Sequence, residues 1–140
     1  MERIELRRTR SEDATELAAL ELAYTRETRH EVGRAAASGE RKGSRLSGNE
    51  LGYLIVLGDA TAGYLFVRKD ADPPVIERFF VKPAYRRRGV GAVAFELLKK
   101  ELGASVFDIE VMIWNDVGRA FLERIGFRPR SLGLRHTVVK

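Results

Sequence analysis

"VKPAYRRRGVGAVAFELLKK", residues 81–100, is the stretch that decides the fold. Pro83 closes an apolar run, because proline cannot continue a central strand, so the strand before it ends at Val81. Three arginines, Arg86, Arg87 and Arg88, then lead into Gly89-Val90-Gly91. From 89 to 102 an amphipathic pattern predicts a helix, with Val90, Ala94, Leu97 and Leu98 inward and Glu96, Lys99 and Lys100 outward. The first N–H groups of a helix have no partner within it and carry partial positive charge, so they attract phosphate. Glycine lets a bulky anion approach the backbone, and arginine adds charge-assisted hydrogen bonds. Strand end, glycine turn and arginines together suit a pyrophosphate. Taken alone, Gly-x-Gly is a weak signal and more often marks a tight turn beside solvated arginines. The Walker pattern is absent, and the dinucleotide fingerprint lacks its third glycine.

Outward from that loop, the periodicities alternate between strand and helix. "RIELRRT" (3–9) alternates as a strand. Ser11, followed by Glu12 and Asp13, predicts a helix start, and Ala14, Leu17, Leu20 and Tyr24 share one helical face. A second short helix is expected around 27–37, then a glycine-rich loop up to 49. Residues 51–70 predict two strands around a turn at Gly58-Asp59, and 75–81 predicts a third. After the helix at 89–102 come a strand over 105–114, a helix over 116–126 and a last strand or hairpin over 127–140. The order is β-α-α-β-β-β-α-β-α-β, an α/β domain with a mixed sheet. Its strand–helix–strand unit across 75–114 should be parallel and right-handed.

The chain of 140 residues is expected to form a single domain, 1–140, large enough to bury a core without staples. It has no cysteine, which excludes disulfides and a cysteine nucleophile and is compatible with the cytoplasm. Its two histidines, His30 and His136, suggest no metal site, so none is expected. No run is long enough to cross a membrane, and the charged N-terminus shows no secretory signal. A formal charge of +5 favours anionic partners, though composition and solubility explain it as well. Nucleic acid is not the expected partner, because the basic residues are scattered and no aromatic stacking platform accompanies them.

Arg86-x-x-Gly89-x-Gly91, after a strand ending in Val-x-Pro, resembles the coenzyme A loop of the GNAT superfamily of N-acetyltransferases. A second motif agrees: Asn115-Asp116-Val117-Gly118-Arg119-Ala120-Phe121-Leu122-Glu123-Arg124-Ile125-Gly126-Phe127 keeps the spacing of that family's Asn-x-x-Ala-x-x-Phe-Tyr-Glu-Lys-x-Gly-Phe pattern. The order of elements also matches along essentially the whole chain. The resemblance implies a GNAT-like mixed sheet whose fourth and fifth strands splay apart to admit acetyl-CoA as acetyl donor. It implies that the backbone of Phe79, Phe80 and Val81 pairs with the pantetheine arm, that the Phe79 N–H lies near the thioester carbonyl, and that amides of the Arg86, Arg87, Arg88, Gly89, Val90, Gly91 and Ala92 loop hold the diphosphate. Asn115 and Phe121 are expected beside the coenzyme. A helix N-cap is an equally good role for Asn115.

The implied reaction is transfer of acetyl to a primary amine by direct attack in a ternary complex. Glu77 lies two residues before Phe79 and so on the same side of the strand, where a carboxylate could act as general base. Glu110 is the second candidate. Either acid could instead form only a surface ion pair. The family's usual tyrosine, thought to protonate the leaving thiolate, is replaced by Leu122, which cannot donate a proton. Water, Tyr85 or Tyr64 could substitute, or the protein could be a non-catalytic acyl-CoA-binding or regulatory module. Glu21, Glu27, Glu31 and Glu40 could attract a cationic acceptor, small molecule or peptide. A homodimer is left open.

Overall fold

The two most continuous apolar stretches lack the alternation of a strand with one wet face, and strands of that kind belong inside a sheet covered on both sides. The computed structural model describes residues 3–29 and 50–139. It makes those stretches β2 (Glu50–Leu57) and β3 (Ala60–Arg68), flanked by β1 (Ile4–Arg8), β4 (Val75–Val81) and β5 (Asp108–Ile109) in the order β1-β2-β3-β4-β5. All neighbours are antiparallel except β4 and β5, which are parallel. The helices are α1 (Ala14–Thr28), α2 (Val90–Leu102), which crosses from β4 to β5, and α3 (Asp116–Arg124).

Strand side chains alternate between faces, so the sheet has two cores. On one face Leu17, Leu20 and Tyr24 of α1 pack against Leu54, Tyr64, Phe66 and Phe80. On the other Val90, Ala94, Phe95 and Leu98 of α2 meet Tyr53, Ile55, Leu65, Val67 and Ile76. Phe95 takes the buried place expected for Leu97, which is only half-buried. Its ring lies 5.5 Å from Phe107 and 5.1 Å from Phe127 between centroids.

One ion pair is sealed between α1 and the sheet. Arg78 is 9% exposed, and its Nε donates to Glu21 Oε1 at 3.0 Å. The Tyr64 hydroxyl donates to the same oxygen at 2.8 Å, and the Arg78 guanidinium stacks over the Tyr24 ring at 5.0 Å. Burial, together with the Glu21 carboxylate, pushes the Tyr64 hydroxyl well above the ordinary tyrosine range. A buried charge is tolerated only when it is paired and hydrogen-bonded, so this cluster fixes how α1 sits on the sheet. Glu21 therefore has a structural partner and is not a free acceptor for cations.

The structure departs from the sequence reading in four places. The fifth strand pairs only at Asp108–Ile109 rather than over 105–114. Residues 127–139 form no strand among the described residues. The helix expected around 27–37 overlaps the end of α1, which closes at Arg29 in the left-handed conformation (φ 55°); residues 30–49, with Glu31 and Glu40, lie outside the described residues. The start of α1 is organised by Asp13 rather than Ser11, after a 3-10 turn at Ser11–Asp13. The Asp13 carboxylate accepts Arg7 Nη1 and Nη2 at 3.2 and 3.1 Å and the Arg10 backbone N–H at 2.8 Å.

These hydrogen bonds, Arg7 foremost, hold the Asp13 carboxyl below the usual carboxylate range. A carboxyl depressed in the folded state contributes stability above its unfolded pKa of about 3.9, and that contribution is lost as pH falls through the folded value. Asp13→Asn should therefore cost about 1.5–3 kcal/mol at pH 7 in chemical denaturation. The gap to the parent protein should close progressively below about pH 4.

Candidate active site

The parallel pair β4–β5 is held only by Val75 opposite Asp108 and Ile76 opposite Ile109. From Glu77 onward the two chains part. Lys82 N–H donates to Ala62 O at 2.7 Å, and a Cβ on Gly63 would overlap the Phe80 carbonyl oxygen, so residues 80 and 82 turn their backbone groups toward β3. Backbone groups alternate between the two edges of a strand, so Phe79 and Val81 turn theirs toward the gap. The Val81 carbonyl accepts Arg86 Nε at 2.8 Å. Outside the sheet's own ladders, no backbone hydrogen bond involves Phe79 among the described residues.

The gap is a narrow slot of about 40 Å³ lined by Tyr24, Glu77, Phe79, Glu110, Val111, Asn115 and Leu122, among others. It adjoins a cleft of about 620 Å³ that includes Phe80, Val81, Tyr85, Arg86, Arg87 and the start of α2 from Gly89 to Ala92. Tyr24, Phe79, Asn115, Gly118 and Phe121 line both, so slot and cleft are continuous. The cleft has the size of a typical small-molecule site.

At the cleft's edge Arg87 and Gly89 both take left-handed backbone conformations, with φ of 64° and 76°. A non-glycine residue there is uncommon, and alternating handedness turns successive N–H groups into one concavity that suits an anion. No side chain caps the α2 N-terminus among the described residues. The first helical hydrogen bond runs from Val93 N–H to Gly89 O at 3.0 Å, which leaves the amides of Val90, Gly91 and Ala92 without a helical partner.

The arginines divide their work. Arg86 Nη1 and Nη2 each donate to a Glu27 carboxylate oxygen at 2.6 Å, and its guanidinium lies over the Phe80 ring at 5.5 Å. It lines the cleft, but its donors face Glu27 and Val81, so it ties the end of α1 to the end of β4. Arg87 is exposed and lines the cleft. Arg88 is exposed and lies over the Tyr85 ring at 5.6 Å, away from the cleft lining.

Gly91 has a role that the sequence did not show. A Cβ there would stand 2.5 Å from Phe121 Cζ and 2.7 Å from Cε1, so the glycine admits a ring from α3 rather than only a ligand. Phe121 also meets Phe79 edge-to-face at 5.2 Å. Asn115 caps α3, its Oδ1 accepting the Gly118 N–H at 2.9 Å, while lining both slot and cleft. The two roles foreseen for it are compatible. Trp114 is neither core nor cleft wall. It is 48% exposed, and its Nε1 donates to Thr28 O at 2.6 Å.

Both candidate bases line the slot. Glu77 is half-buried, with Arg68 as a partner at 3.8 Å, and Glu110 is exposed. Leu122 is buried at the slot wall and brings no proton donor. Tyr64 is sealed on the α1 side of the sheet, and Tyr85 lines the cleft but not the slot. Tyr24, read from sequence as a core residue, lines both and is held above the ordinary tyrosine range by burial.

Residues 14–127 match the family model of the acetyltransferase (GNAT) family. The chain belongs to the GNAT acetyltransferase family. Among solved structures, this GNAT protein is similar to ribosomal-protein-alanine N-acetyltransferase from Brucella melitensis biovar Abortus 2308, at 14% identity and a TM-score of 0.69 over 99% of each chain. It is similar to AAC(6')-Iy in complex with a bisubstrate analogue, CoA-S-monomethyl-acetylneamine, at 14% identity and a TM-score of 0.64, covering 97% of this chain and 99% of the other. A third is an aminoglycoside acetyltransferase, meta-AAC0020, from an uncultured soil metagenomic sample, at 14% identity and a TM-score of 0.63 over 97% of each chain. At that identity the likeness is one of fold. No curated protein sequence matches the chain.

The splayed fourth and fifth strands expected of a GNAT sheet are thus present, and so is the uncapped glycine loop. The packing of Phe121 on Gly91 gives a direct check of how the loop is held. Gly91→Ala should destabilise the GNAT domain by about 1–3 kcal/mol through overpacking. In a Phe121→Ala background the same change should cost much less, so a double-mutant cycle by denaturation should show strong coupling.

Proposed function

We propose that this protein transfers an acetyl group from acetyl-CoA to a primary amine of a small molecule or peptide by direct attack in a ternary complex. The proposal rests above all on the continuity of three features: the uncapped α2 amides, the cleft beside them, and the slot where β4 leaves β5. The residues fit the donor. The amides of Arg87 to Ala92 would hold its diphosphate, with Arg87 adding charge. The free edge of β4 at Phe79 and Val81 would take the amide-bearing arm like a neighbouring strand, flanked by Asn115 and Phe121. The acetyl-CoA thioester, when bound, supplies the activated acetyl group.

Glu77 receives the proton of the attacking amine, directly or through water, with Glu110 as the alternative base on the opposite wall. The Phe79 N–H donates to the carbonyl oxygen as negative charge grows there, an interaction stronger in the transition state than in the ground state. As the C–N bond forms and the C–S bond breaks, Tyr24 supplies the proton to the leaving sulfur. Its hydroxyl, like that of any tyrosine with a pKa of about 10 or above, is protonated at neutral pH, and Tyr24 lines the slot where Leu122 offers nothing.

Amine-dependent thiol release from acetyl-CoA, followed beside calorimetric coenzyme binding, tests the proposal. Tyr24→Phe should lower kcat by about 10²-fold with little change in KM for acetyl-CoA, as expected of a lost proton donor. Gly89→Glu, which forces a side chain into a left-handed position and puts a carboxylate beside the diphosphate, should weaken coenzyme binding. The buried Leu122 favours one second reading, a non-catalytic acyl-CoA-binding module. Tight coenzyme binding without turnover over a broad amine panel would select it. Absence of both binding and turnover, with Gly89→Glu behaving like the parent, would refute both.

A further inference from the structure

We propose that Arg78 binds the carboxylate of the acceptor, and that the acceptor is a small free α-amino acid. The inference rests on the transfer reading of the slot and names the amine that the reaction takes. Arg78 is only 9% exposed. Its Nε donates to Glu21 Oε1 at 3.0 Å, an oxygen shared with the Tyr64 hydroxyl, and its Nη1 donates to the Glu77 carbonyl at 2.7 Å. Its Nη2 has no hydrogen-bond partner among the described residues. No side-chain nitrogen or oxygen that is shut away from solvent lacks a partner among the described residues, so Nη2 reaches open space. The opening that Arg78 lines is the slot, not the wider cleft. A guanidinium has donors only, so one held in place with an open nitrogen is a ready seat for an anion. The Glu77 carbonyl, Glu21 and the Tyr24 ring under the guanidinium at 5.0 Å fix it in advance, which leaves little ordering to oppose binding.

The charges around the slot fit a small zwitterion. Its lining holds two acids, Glu77 and Glu110, and among the described residues one base, Arg78. An ammonium group is drawn to the acids, which are also the two candidate bases for its proton. A carboxylate one carbon away then meets Arg78, and a hydrogen bond between two charged groups is about twice as strong as one between neutral groups. Other amines fit less well. A polyamine brings only like charge to the guanidinium, and such juxtapositions act against a partner. A peptide N-terminus presents a neutral carbonyl where the amino acid presents its carboxylate. The slot itself is narrow, about 40 Å³, which suits a compact head group. Transfer also favours release. The acetylated product keeps its carboxylate but has lost the ammonium, so the two acids no longer hold it.

The test compares glycine, L-alanine and L-serine, each beside its amide and its decarboxylated amine, with the parent protein. The amide keeps the shape and has the less basic nitrogen, so more of it is reactive free base at neutral pH, and a preference for the acid must come from the carboxylate. In the thiol-release assay kcat/KM for at least one amino acid should exceed that of its amide and its amine by about 10-fold or more. Calorimetry on the protein loaded with coenzyme A reads acceptor binding without turnover and should show the same order. Arg78→Met with Glu21→Gln removes both charges together, so no buried carboxylate is left unpaired. In that variant, once circular dichroism confirms its fold, the preference for acid over amide should vanish. Amides or simple amines that bind and react as well as the amino acids would overturn this acceptor class while leaving acetyl transfer standing. So would a double variant that keeps the preference. Absence of turnover with every amine would refute the transfer reading, and with it this acceptor role, whereas calorimetry showing no binding of any amino acid would overturn the Arg78 site alone.

Discussion

The parting of β4 from β5 after two paired residues is the constraint on which the rest of the structure depends. A parallel pair requires a crossover, and α2 provides it, so the N-terminus of that helix comes to stand just past the carboxyl end of β4. Ligands of open α/β sheets gather at such points, outside the carboxyl ends of parting strands. Here the parting leaves the backbone of Phe79 facing the slot while the left-handed turns at Arg87 and Gly89 gather the helix amides beside the adjoining cleft. Unpaired backbone groups are costly when buried dry, and these two sets are kept accessible by one continuous opening.

Contacts from distant parts of the chain keep that opening from closing. Arg86 bonds Glu27 and the Val81 carbonyl, which anchors the end of α1 to the start of the loop. Trp114 bonds the Thr28 carbonyl, which anchors the same end of α1 to the segment leading into α3. Phe121 fills the notch over Gly91 and meets Phe79, so α3, α2 and β4 are wedged together at a fixed spacing. The sealed Arg78–Glu21–Tyr64 cluster sets α1 on the sheet from below. With the glycine loop so held, an arriving anion meets donors already aligned, and little ordering is left to oppose binding.

Much of this was legible in the sequence because the signals are local. Pro83, the glycines and the helical periodicity that follows lie within one short stretch and locate both the strand end and the helix start. The alternation in 3–9 and the continuous apolar runs at 51–57 and 62–67 locate β1, β2 and β3. What the sequence hid is pairing between distant residues. The charge of Arg86 reads as a ligand for phosphate, and only the fold reveals that Glu27 is its partner. Gly91 reads as clearance for an anion, and only the fold brings Phe121 to it. Residues 105–114 have the composition of a strand, but composition reports burial and propensity and not whether a neighbour exists to bond. The same limit explains residues 127–139: they read as a strand or hairpin, and no strand pairs with them among the described residues.

Amide-resolved NMR on uniformly ¹⁵N-labelled protein, titrated with coenzyme A, tests the central claim most directly. The amides of Arg87, Gly89, Val90, Gly91 and Ala92 and of Phe79 should shift together in one saturable process, while pantetheine, which lacks the diphosphate, should move Phe79 only weakly and leave the loop unchanged. Saturable binding of coenzyme A that leaves these amides in place, and moves others instead, would contradict the account.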